Sequence, residues 1–172
     1  MLKKVNFYTQ FAEETMSQQG DVCYTFEAAL EMAINMENDG FRGYIDALRI
    51  VKSKQARELL KEAALDELAH KYELEKALID GHTAEGALEK PLPTMNLDAV
   101  LAKRELTPNS DVREALAYSI HMEHSAIAFY RKMAAACAGA PMAKLMERLV
   151  ADESRHLQQL EDMYEDHYMT EN

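Results

Sequence analysis

Apolar residues recur at helical spacing through four stretches of this chain, and acidic residues interrupt each stretch at its centre. The first runs from about Thr25 to Val51 and aligns Phe26, Leu30, Ala33, Glu37, Phe41, Tyr44 and Leu48 on one face. Ser53 is placed to cap a second helix, whose seam is Ala56, Leu60, Ala63, Glu67, His70, Leu74 and Ala77 and which Gly81 closes after Asp80. Asp111, followed three residues later by Glu114, has the form of a capping box and opens a third helix to about Cys137. Gly139 breaks that helix. Pro141 suits the first turn of a fourth, which ends near Tyr168 with a seam of Met142, Leu145, Leu149, Glu153, His156, Leu160 and Met163. Pro91, Pro93 and Pro108 exclude a long helix from 82–110, leaving room for a short helical piece at Leu97–Arg104. Residues 1–24 are weakly patterned, with Phe7, Phe11 and Met16 on one side. They are expected to form an arm packed on residues 25–172 or on a partner subunit.

The halves are related by a shift of 86 positions, which carries Glu37 to Glu123, Tyr44 to Tyr130, Glu67 to Glu153 and His70 to His156 without a gap. The chain is therefore a duplicated helix pair. Two hairpins related by a two-fold would leave the second and third helices parallel, so their connection must climb about 40 Å, the length of some 27 residues at 1.5 Å each. A 29-residue segment can do that, and a tight turn cannot. The predicted fold is all-α: a four-helix bundle of two antiparallel hairpins joined by a long crossover.

Glu-x-x-His occurs at Glu67/His70 and again at Glu153/His156, and three-residue spacing puts both side chains of a pair on one helix face. A carboxylate in an apolar seam costs several kcal/mol unless it is paired or ligates a cation. Glu37 and Glu123 occupy the corresponding seam positions of the first and third helices. A lone inward glutamate on two helices and a Glu-x-x-His on the other two is the ligand inventory of carboxylate-bridged two-metal bundles. Tyr44 and Tyr130, two turns from Glu37 and Glu123, are candidates to hydrogen-bond a carboxylate, to relay an electron, or simply to fill the core. Asp66 and Asp152 lie one residue off the seam and read either as acceptors for the ligand histidines or as surface charges. His121 and His124 point well away from Glu123 and read as surface residues, as do His82 and His167.

Composition narrows the chemistry. A formal charge of -11 argues against nucleic-acid or anionic-membrane partners. The two cysteines, Cys23 and Cys137, cannot build a disulfide framework or a four-thiolate metal site. No apolar run approaches a membrane span or a secretory leader, so a reducing cytoplasm is the expected location. Oxygen and imidazole donors without thiolate suit iron or manganese, with zinc a non-redox occupant.

Over about residues 25–168 the chain resembles the rubrerythrin-like branch of the ferritin-like superfamily. The resemblance rests on Met36-Glu37-x-x-Gly40-x-x-x-Tyr44, Glu67-x-x-His70, Met122-Glu123-x-x-Ala126-x-x-x-Tyr130 and Glu153-x-x-His156. Asp152-Glu153-Ser154-Arg155-His156 is also similar to the Asp-Glu-x-Arg-His signature of di-iron hydroxylases. The resemblance implies two iron ions held by Glu37, Glu67, His70, Glu123, Glu153 and His156. It implies reduction of peroxide with electrons from an external partner such as a rubredoxin-like protein, and a homodimer. Two departures stand out. The thiolates of a rubredoxin-like domain are absent from these residues, and Ala126 stands where rubrerythrins carry an extra glutamate. The competing expectations are iron handling by ferroxidation, a di-iron oxygenase with an apolar substrate cavity, and a metal-stapled structural bundle.

Overall fold

In a computed structural model, the described residues are 25–81 and 90–169; the expected arm at 1–24 lies outside them. The described residues form four long helices and no strand: α1 (Phe26–Ile50), α2 (Lys54–Asp80), α3 (Val112–Ala136) and α4 (Pro141–Tyr168). The local signals act as expected. Thr25 accepts from the Ala28 amide and Ser53 from the Ala56 amide, while Gly81 ends α2 in the left-handed region at φ 73°. Both halves of the Asp111/Glu114 capping box are formed, and Gly139 turns the chain between α3 and α4 at φ 85°.

Side-chain contacts fix the directions. Lys71 on α2 reaches Asn38 on α1, and Arg57 near the start of α2 donates to the carbonyls of Leu48 and Val51, so α1 and α2 are antiparallel. Arg113 at the start of α3 donates to Tyr164 near the end of α4, which makes the second pair antiparallel too. Across the bundle Tyr44 meets Glu123 and Tyr130 meets Glu37, so α1 and α3 also run oppositely. Hence α2 and α3 are parallel, and the connection between them climbs the bundle.

That crossover is tied down by side chains of α4 and α3. Ser154 accepts from the Leu92 amide at 2.9 Å. Glu161, fully buried on α4, accepts from the Thr94 hydroxyl, the Met95 amide and the Leu97 amide. The helical piece expected at Leu97–Arg104 is only a 3₁₀ turn at Leu97–Ala99: the Leu101 carbonyl is turned to His121 on α3, and the chain then extends toward Asp111. His121 and His124, expected on the surface, are instead covered in part by this segment. His121 Nε2 lies 3.0 Å from the Leu101 carbonyl oxygen, and His124 Nε2 lies 3.4 Å from Asp98. His167 is exposed, as expected, and His82 lies outside the described residues.

One large apolar cluster runs through the bundle, from Leu30 and Leu74 to Leu116, Met146 and Leu157. A smaller one around Tyr44, Val51 and Leu60 fills the α1–α2 turn. Cys137 is buried at the end of α3. Met163, assigned to the seam of α4, is 39% exposed, since the buried face there runs through Leu160, Glu161 and Tyr164 instead. No helix among the described residues is long and apolar enough to cross a membrane.

Candidate metal centre

At mid-height the bundle buries four carboxylates from four different helices: Glu37, Glu67, Glu123 and Glu153 are 1%, 8%, 4% and 2% exposed. Four acids buried together with no lysine or arginine bonded to them would cost far more than packing returns, so cations or protons must compensate. All six residues that the seams single out are brought together. His70 Nδ1 stands 3.2 Å from Glu37 Oε2 and 3.1 Å from Glu153 Oε1, and His156 Nδ1 stands 3.5 Å from Glu153 Oε2. The two imidazoles stack with centroids 4.9 Å apart and planes 6° apart. One ligand atom each from His70, Glu153 and His156 fits within 4.8 Å, close enough to share an ion.

Glu67 has its place because α1 has no side chain opposite it. A Cβ on Gly40 would stand 2.4–2.7 Å from the Glu67 carboxylate, so that carboxylate would have to move aside. The two tyrosines brace the other pair of acids across the bundle. Tyr44 donates to Glu123 Oε1 at 3.0 Å and Tyr130 donates to Glu37 Oε1, so each hairpin orients a carboxylate of the other. Both phenols are thus hydrogen-bonded to the acids as well as packed in the core.

Asp66 does not join the site. It is exposed, 100° around the helix from Glu67, and reads as a surface charge. Asp152 is half-buried and is held by Arg155 and Arg148, at the rim of a cleft that leads to His70. Its carboxylate is engaged by those guanidinium groups rather than by an imidazole.

The charges in this cluster oppose one another. Burial, and then the neighbouring Glu123, Glu37 and Glu153, push the Glu67 carboxyl well above the usual range. Burial and Glu153 do the same to Glu123. For Glu153, burial acts upward but is outweighed by the His156 and His70 imidazoles beside it, which hold it down at about 2. Burial likewise acts against the charged form of His70, and hydrogen bonds to Glu153 and Glu37 override it, raising the imidazole to about 11. Without cations the cluster therefore holds protons: on His70, and on Glu67 and Glu123.

Even so, Glu123 Oε2 and Glu153 Oε1 lack a hydrogen-bond donor. The His70 nitrogen lies near Glu153 Oε1, but its aligned contact is to Glu37. Two buried carboxylate oxygens without donors, among imidazole nitrogens, are the donor set of a metal site, and iron, manganese or zinc each fits it.

A ferritin-like four-helix bundle with a carboxylate and imidazole cluster at its centre is the class that this fold and site define. The family model described as Rubrerythrin matches residues 28–164, and the chain belongs to that family. No curated protein and no solved structure matches the chain.

Sequence reasoning missed Glu161 and the role of Gly40. Glu161 bonds mainly to backbone amides, which leave no mark in a side-chain pattern, and its duplicate, Glu75, is exposed.

Proposed function

We propose that the protein is a di-iron oxidoreductase that reduces hydrogen peroxide or dioxygen with electrons from an external donor of rubredoxin type. The observation that carries this reading is the pair of orphaned oxygens on Glu123 and Glu153, set among two further buried glutamates and two imidazoles. Four carboxylates match the charge of two divalent cations, which balances acids that are each less than a tenth exposed. Glu37, Glu67, His70, Glu123, Glu153 and His156 would hold the two ions. A bound iron pair supplies two electrons and open coordination positions for a small oxidant.

The chain's own residues do the rest. Tyr44 and Tyr130 fix the rotamers of Glu123 and Glu37 by donating to one oxygen each, leaving the other oxygen for a cation. His70 and His156 are the partly exposed members of the site, so their side faces solvent. A cleft of about 80 Å³ between α2 and α4 leads to His70, lined by Glu73, Leu74, Ala77, Leu145, Leu149 and Asp152 among others. That volume admits a few water-sized molecules. It is far below the roughly 300 Å³ where ligand pockets begin, which favours peroxide or dioxygen over an organic substrate.

The test is anaerobic loading with Fe(II), followed by titration with hydrogen peroxide and, separately, with dioxygen. Growth of a ferric absorption band with two electrons consumed per peroxide is the expected result. Protein that holds two irons and is oxidised by neither oxidant sinks the proposal; oxidation followed by release of ferric iron would place the chain in iron handling instead.

A further inference from the structure

The duplicated hairpins differ on their outer faces. Ala151, Ser154, Gln158 and Glu161 follow one another at three- and four-residue steps along one side of α4. The crossover is pinned there: Ser154 accepts from the Leu92 amide, and Glu161 from the Thr94 hydroxyl and the Met95 and Leu97 amides. Ala151, Ser154 and Glu161 are buried. The 86-residue shift sends these four positions to Leu65, Leu68, Tyr72 and Glu75 on α2. That face is more apolar than its counterpart, yet Leu65, Leu68 and Tyr72 are 53%, 42% and 62% exposed. With Glu75 they line a groove along the outside of α2. Contiguous apolar surface of this kind marks a contact site.

We propose that residues 4–15 of the same chain, which lie outside the described residues, cover this face of α2 as residues 90–101 cover α4. In that arrangement the Glu75 carboxylate accepts from the Thr9 and Phe11 amides, the positions equivalent to Met95 and Leu97. The reach is right. Thr15 precedes the start of α1 at Phe26 by the same interval that separates Leu101 from the start of α3 at Val112. The direction is right as well. Because α1 and α2 are antiparallel, the chain enters α1 beside the end of α2, just as it enters α3 beside the end of α4, where Arg113 meets Tyr164. The side chains match: Phe11 takes the place of Leu97, which is buried, and Val5 and Phe7 add apolar surface for Leu65, Leu68 and Tyr72. Lys3 and Lys4 then come to the level of the exposed Glu62 and Asp66. Glu75 is available for the role, since its contact with Lys71 is a 3.7 Å surface pair, which holds a carboxylate only weakly. Backbone amides donating to a carboxylate make stronger bonds.

The chain contains no tryptophan, so Tyr72→Trp in the full chain places a single reporter on the face. Its emission should be blue-shifted and quenched by acrylamide severalfold less than N-acetyltryptophanamide. Adding Phe11→Asp should raise quenching to the level of that free compound. An indole at position 72 that is quenched freely from the outset overturns the proposal. Shielding that survives Phe11→Asp, or that vanishes on dilution as light scattering shows a dimer dissociating, assigns the face to a second copy and overturns it too. Hydrogen exchange tests the pin without altering the arm. The Thr9 and Phe11 amides should exchange slowly in the unmodified chain and fast in Glu75→Ala, while the amides of α2 keep their protection. Rapid exchange of those two amides in the unmodified chain, or exchange that Glu75→Ala leaves unchanged, overturns the placement. None of these readouts depends on which metal or reaction the centre supports.

Discussion

Gly40 and Glu67 face each other across the α1–α2 interface, and the missing Cβ leaves the room that the Glu67 carboxylate occupies. Replacing Gly40 with Ala gains up to about 1 kcal/mol of helix propensity, yet it drives the Glu67 carboxylate from its place. The expected outcome is a folded protein that binds one metal normally and the second far more weakly, read by competition with a chromophoric chelator. Glu67 itself carries a cost. Burial and three neighbouring acids press on it, so Glu67→Leu should raise the Tm of the metal-stripped protein. The same variant should lose most of the rise in Tm that metal confers on the unmodified chain. Scanning calorimetry with and without metal checks both halves of that expectation. At this scale the inward glutamates and histidines were legible, because a charge that recurs in an apolar seam is tolerated only where something neutralises it. Tyr44 was legible as a position but not as a partner, since only packing across the bundle tells a hydrogen-bonded phenol from a core aromatic.

Among the elements, the crossover depends most on contacts that no local pattern announces. Its prolines and its length told where helix could not continue. The place where it is pinned is set by Glu161, which accepts from two backbone amides and a hydroxyl inside the protein. Hydrogen bonds to a buried charged acceptor are worth about 1.5–3 kcal/mol each, and their donors are left unsatisfied when it goes. Glu161→Ala should therefore lower stability by about 3 kcal/mol or more. Hydrogen exchange should show early loss of protection at the Met95 and Leu97 amides, while the metal content of the folded protein stays unchanged. Full protection of those amides in the variant would show that the crossover is held by other means. Helix ends, by contrast, were readable from short range: Ser53, Gly81, Asp111 with Glu114, and Gly139 act through bonds and dihedrals within a few residues.

For the whole molecule, the charge cluster makes stability depend on pH in a direction that metal reverses. Glu67 and Glu123 ionise around their ordinary 4.5 in the unfolded chain but resist ionising when folded, so metal-free stability falls as pH rises past 4.5. Glu153, held down at about 2, contributes stability that is present above 4.5 and lost as pH falls through 2. His70, raised to about 11, contributes stability that is complete below 6.5 and lost as pH climbs toward 11. Metal-stripped protein should thus be most stable near pH 4.5 and weaken above it, more steeply past 6.5. Bound cations replace those protons, so the gain in Tm on adding metal should grow from about pH 6 to about pH 8. A metal-free Tm that rises over the same interval would contradict the cluster's electrostatics.

The sequence by itself determined the four helices, their ends, the duplication, the need for a climbing connection and the six inward acids and imidazoles. Each of these follows from periodicity or from interactions a few residues long. Tertiary structure alone decided which oxygens face which donors: the crossed tyrosine braces, the exposure of Asp66, the burial of Glu161 and the cover over His121. Those outcomes depend on how helices distant in the chain approach one another. A helical repeat specifies which face is turned inward, and it is silent about what stands opposite.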